Sequence, residues 1–172
     1  MKKSILLATI LLSTCASSQV AVGKSSVTNN SVSLEFGSDN RGIVLPWVTS
    51  AGAVAGAVNG TLIFDISDKK VKVKYASGWK DLSVDSTGTV DTSLQDNKTE
   101  NNNAKVEITS GVNISSTPGI LVLADSNKAM ILPKVATPHL NIINPAAGMM
   151  AYDTVNDQLA VFNGTVWSFW KP

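Results

Sequence analysis

The chain has 172 residues, 14 Lys plus Arg against 13 Asp plus Glu, and a formal net charge of +1. That balance supplies no basic field for nucleic acid and no strong pull toward an anionic membrane. One cysteine and one histidine exclude a disulfide framework and a Cys/His metal cluster.

Lys2 and Lys3, the apolar run Ile5 to Leu12 and the small polar stretch Ser13 to Ser18 have the layout of a secretory signal peptide. The run is too short to span a bilayer, and export to the cell surface or beyond is the expectation. Two processing chemistries are open. Ala16-Ser17-Ser18 is a small-x-small site that would release the chain before Gln19. Leu12-Ser13-Thr14-Cys15 resembles a lipobox, and acylation of Cys15 would make an outer-membrane lipoprotein, the one route to a membrane partner. Thr before the cysteine favours simple cleavage.

Val20 and Val22 read as a short strand, and Val32, Leu34 and Phe36 alternate with polar residues as a half-buried strand does. Gly42 to Val48 is apolar with Pro46 inside it, so it forms an edge strand or breaks at the proline. Thr49 to Val58, rich in Ala, Gly and Val, fits a short helix or a loop packed by small side chains. Gly60 to Leu82 reads as a three-stranded antiparallel meander.

Ser83 to Lys105 holds few large apolar groups, too little burial to offset its ordering entropy, and reads as a flexible linker. Beyond it the pattern restarts. Asn127 to Trp170 repeats the plan of Asn40 to Leu82: Leu45-Pro46 matches Leu132-Pro133, Gly60 matches Gly148, Phe64-Asp65 matches Tyr152-Asp153, and Trp79 matches Trp167. With the strands before them, the two units cover about 65 residues each. Asn163-Gly164 predicts a type I′ hairpin turn, in which both residues take positive φ. The expected segmentation is 1–18 signal peptide, 19–82 first β unit, 83–105 linker and 106–172 second β unit. No segment holds a helical period, so the fold class is all-β.

Candidate chemistry is sparse. His139, between Pro138 and Leu140, has no Cys or His at ligand spacing. Asp65 with Asp68, and Asp153 with Asn156 and Asp157, could offer oxygens to a cation. Both groups lack the further ligands and the glycine of a calcium loop, and carboxylates bonding their own turns is the expected role. No Gly-x-Ser-x-Gly elbow and no phosphate-binding loop occurs. The sequence therefore predicts no catalytic residue, no metal site and no cofactor, and not an enzyme. Trp79 and Trp167 end equivalent hairpins and read as packing residues. Trp47 and Trp170 are the candidate ligand contacts, able to stack on a glycan or anchor a surface protein if exposed.

Gln19-Val20-Ala21-Val22-Gly23, SVSLEFGSDNRGIVLPWV, GTLIFD and a following Gly-Trp resemble secreted β-repeat proteins of Bacteroidota, whose repeats are similar to those in the shafts of phage tail and head fibres. Where that family carries Arg after Leu-Pro, this chain has Trp47 and Lys134. The resemblance implies a fibre-like surface protein assembled as an intertwined homotrimer, structural or adhesive in role. It carries over no functional residue.

Overall fold

The computed structural model describes residues 18–101, 103–112 and 115–171. Cys15 and nearly all of the expected signal peptide lie outside the described residues. Among the described residues the chain is nearly all β, with fourteen short strands, a 3-10 turn at Ala51–Ala53 and one helical turn at Pro138–Asn141.

In the first unit β1 (Val20–Val22) runs parallel to β2 (Val32–Phe36), with Val20 opposite Leu34. The Leu-Pro step splits one apolar run into β3 (Ile43–Val44) and β4 (Trp47–Val48). Pro46 has no N–H for a ladder, but its carbonyl accepts the Phe64 N–H at 2.9 Å, so the chain re-enters a sheet on the far side of the proline. The meander is β5 (Leu62–Asp65), β6 (Lys70–Tyr75) and β7 (Gly78–Asp81). With β4 added in parallel it makes a four-stranded sheet in the order β4-β5-β6-β7.

The second unit repeats this plan strand for strand. β8 (Val106–Ile108) runs parallel to β9 (Leu121–Leu123). β10 (Ala129–Ile131) and β11 (Lys134–Val135) flank Leu132-Pro133, and the Pro133 carbonyl accepts the Tyr152 N–H at 2.9 Å. β12 (Met149–Asp153), β13 (Gln158–Phe162) and β14 (Trp167–Trp170) form the second meander. The register repeats as well. Trp47 lies opposite Phe64 and Val48 opposite Asp65; Lys134 lies opposite Tyr152 and Val135 opposite Asp153. Short parallel rungs followed by a meander give the fibre-like, β-solenoid character of the fold.

The two meanders pack on each other. One core joins Leu45, Phe64, Val71 and Leu82 of the first unit to Ala147, Met150 and Val161 of the second. Phe64, Val71 and Val161 are fully buried, each contributing about 1.5–3 kcal/mol of transfer free energy. A smaller cluster of Val135, Ile142 and Ala151 covers the other face of β12. Successive strand residues point to opposite faces, so Met150 serves one core and Ala151 the other.

Two sequence expectations need correction. Ser83 to Val90 is not a free linker. The Val84 N–H binds Ser168 Oγ at 3.0 Å, Asn163 Nδ2 binds the Asp85 carbonyl at 3.0 Å, and Val90 packs against the main core. Low apolar content hid this because the segment is held by polar groups of β14 and the preceding turn. The β13–β14 turn is also not type I′. Gly164 has φ 100°, while Asn163 is absent from the residues at positive φ. Its buried Oδ1 accepts the N–H groups of Thr165 and Val166 at 2.9 and 2.7 Å, while its own N–H closes the hairpin on the Val166 carbonyl at 3.2 Å, so a side-chain turn sits inside the backbone one.

Candidate assembly interface

Two turn carboxylates lock the repeats. Asp65 Oδ1 accepts the Ser67 N–H and Oγ–H, and Oδ2 accepts the Ala51 N–H at 2.7 Å. Burial would raise the Asp65 pKa, but the Ser67 and Ala51 bonds and the Lys72 charge outweigh it and lower it. Lys72 in turn contacts Asp68, and lies 3.5 Å from both Asp65 and Asp81. Burial works against its charge, yet these carboxylates raise its pKa.

Asp153 plays the matching part. It is fully buried and accepts the N–H groups of Thr137, Val155 and Asn156 and the side-chain amides of Asn156 and Gln158. Burial again opposes ionisation, but the bonds win and hold its pKa at about 2. Thr137 sits at φ 43°, a conformation a β-branched residue rarely takes, and its bond to Asp153 helps hold it there. Their oxygens are thus engaged by the protein, as expected of turn residues. Among the described residues no cluster of three or more His, Cys, Asp or Glu side chains could hold a metal ion.

The remaining singled-out residues fall apart in space. His139 lies on the exposed helical turn, its ring edge-on to Phe169 at 5.5 Å. Trp47 and Trp170 are half-buried against the main core. The Trp47 indole N–H donates to the Ala147 carbonyl at 2.7 Å, and the Trp170 N–H to the Leu82 carbonyl at 2.5 Å. Each therefore ties one unit to the other. Lys80 lies over the Trp170 ring at 5.5 Å. Trp79 and Trp167 are half-buried too, Trp79 beneath Lys74 and Trp167 against Phe162. A cleft of about 350 Å³ opens between Gly23, Thr28, Gly37 and Lys134, and its Lys24 is already paired with Glu35 at 2.7 Å.

The strongest functional feature is the joint between units, which sequence inspection did not anticipate. β10 of the second unit adds in parallel to β2 of the first, placing Met130 opposite Leu34. β3 of the first unit adds antiparallel to β12 of the second, placing Val44 opposite Met149 and Ile43 opposite Met150. The Leu45 N–H closes this ladder on the Gly148 carbonyl at 3.1 Å. Gly148, at φ 76°, sits so near Phe64 that a Cβ there would lie 2.8 Å from the Phe64 Cβ. The joint uses different strands from each unit, so it is head-to-tail rather than two-fold.

No curated protein and no solved structure matches the chain. Residues 97–171, the second unit with the end of the preceding segment, match the family model described as phage tail like trimerisation region.

Proposed function

We propose that this chain is an exported, non-enzymatic structural protein that self-associates into a homotrimer and forms a fibre-like, adhesive element at the cell surface. The carrying observation is that the unit similar to a phage tail like trimerisation region leaves large apolar side chains in water in a single chain. Its rungs expose Val106 at 59% and Leu121 at 40%, and Ile120, in the bend before β9, is 62% exposed. Apolar strand residues left in water in this way mark an association surface. The dispersed and internally bonded carboxylates support a structural rather than a chemical role.

Light scattering of the full chain after size exclusion tests the assembly: a trimer is expected, and a single chain at every concentration overturns it. Cell fractionation tests export, with the chain expected outside the cytoplasm; a Cys15→Ser chain that loses membrane association would assign the lipid anchor. Trp47 and Trp170 are assigned to holding the units together, because both indole N–H groups are engaged inside the chain. Binding on a glycan array that a Trp170→Phe change abolishes in a folded protein would overturn that assignment and favour a glycan partner.

A further inference from the structure

The joint inside the chain leaves half of its own strand-pairing rule unused. Among the described residues β3 is paired on one side only, with β12, and β10 on one side only, with β2. Each is the copy of the other in the repeat. By the rule of the observed joint, β10 has an open edge suited to a β5, and β3 an open edge suited to a β9. Among the described residues β9 pairs only with β8, and β5 is covered by β4 at Phe64 and Asp65 but not at its Leu62 end.

The backbone at these edges agrees. Leu45 gives its N–H to the Gly148 carbonyl, yet among the described residues the equivalent Leu132 N–H and Gly60 carbonyl take part in no backbone bond. Gly148 and Gly60 share a left-handed φ of 76° and 88°. Gly148 lies against Phe64, whereas a Cβ at Gly60 would meet nothing within 4 Å. A left-handed glycine with nothing before it is what the joint leaves when its other half is missing. The side chains agree as well: Val44 on β3 is 44% exposed and Leu121 on β9 is 40% exposed. Unpaired strand edges bearing apolar residues are templates for strand addition.

We propose that a second copy of this chain docks on these edges by the same head-to-tail rule, second unit onto first unit. β10 of one copy pairs antiparallel with β5 of the next, Met130 opposite Leu62 and Ile131 opposite Thr61, with the Leu132 N–H on the Gly60 carbonyl. β3 of that next copy pairs in parallel with β9 of the first, Ile43 opposite Leu121 and Val44 opposite Val122. Tyr152 then fills the space before Gly60 as Phe64 fills that before Gly148. Each copy offers both halves of the joint, so addition continues until the rotation closes a ring. This assignment rests on the homotrimer reading above, with three chains as the closed form.

The test is disulfide trapping in the full chain. Cys15→Ser removes the sole native thiol, and Val44→Cys with Val122→Cys supplies one pair across the inferred parallel joint. Mild oxidation is followed by non-reducing electrophoresis, with light scattering of the unsubstituted chain alongside. Cross-linked bands of more than one chain, reversed by reductant, are expected. A trimeric unsubstituted chain whose double-cysteine form runs only as a single chain overturns the edge assignment and leaves the homotrimer standing. A monomeric unsubstituted chain overturns both. Leu121→Lys gives a second reading. The site is exposed in the single chain, so the fold survives by circular dichroism while the solution mass falls about threefold as the charged edge refuses its partner. A folded Leu121→Lys chain that stays trimeric counts against β9 as the docking edge.

Discussion

Replacing Asp153 tests whether the second repeat is locked by its turn. The carboxylate is fully buried and receives five donors: the N–H groups of Thr137, Val155 and Asn156 and the amides of Asn156 and Gln158. Asp153→Ala deprives all five of an acceptor. Val155 and Asn156 are exposed and water can serve them, but Thr137 and Gln158 are half-buried. Two donors left short, at about 1–3 kcal/mol each, put the loss at roughly 3 kcal/mol. Asp153→Asn keeps one acceptor oxygen and turns an amide toward the donors on the other, so a loss of about half that is expected.

The pH dependence has a definite sign. The folded-state pKa is about 2 against an ordinary value of 3.8. A lowered carboxylate pKa contributes stability that is complete above the unfolded value and disappears as pH falls through the folded one. The contribution is on the order of 2 kcal/mol near neutrality and fades between about pH 4 and pH 2. Urea unfolding of the parent and both variants, at one chain concentration because assembly couples to stability, measures the gap at each pH. A loss below about 1 kcal/mol for Asp153→Ala, or a parent-to-Asn gap unchanged down to about pH 2, would refute the locking role.

Phe64→Ala should cost about 3–5 kcal/mol by chemical denaturation, because the ring is fully buried and fills the space before Gly148. Gly148→Ala should destabilise the single chain more than Gly60→Ala: both strain a left-handed backbone, but only the first also drives a methyl into Phe64. Thermal melts of the two at equal concentration compare them, and equal losses would argue against that contact. Trp170→Phe removes the bond to the Leu82 carbonyl and should cost about 1 kcal/mol with the fold intact. Gly88→Ala would set a Cβ 2.0 Å from the Asn163 carbonyl oxygen. It should lift Ser83 to Val90 off the second unit, read as faster limited proteolysis there while the meanders stay protected.

Much of the fold is legible along the chain because its signals are local. Alternating valines at Val71 and Val73 announce strands, Pro46 and Pro133 announce a break between short strands, and the polar turns after Asp65 and Asp153 announce meanders. The repeat itself is a property of the sequence, and it correctly forecasts that Phe64 and Tyr152, or Asp65 and Asp153, occupy the same place in two sheets. The Asn163-Gly164 turn was misread because a buried side-chain acceptor displaced the backbone geometry that the residue pair favours.

The packing of one unit on the other was not legible. Local periodicity says which face of a strand is apolar but not which neighbour covers it. The same Leu-Pro strand pairs with β12 in the first unit and with β2 in the second, a difference invisible in residues that match position for position. The same holds for Trp47 and Trp170, candidate ligand contacts in the sequence, whose indole N–H groups bond carbonyls of the opposite unit, far away in sequence. The strands, the turns and their duplication can be read along the chain, since these follow from backbone preference and side-chain alternation over a few residues. Which strand edges meet and which stay open emerges in the folded chain alone, because that choice depends on how long-range apolar burial orients two nearly identical sheets.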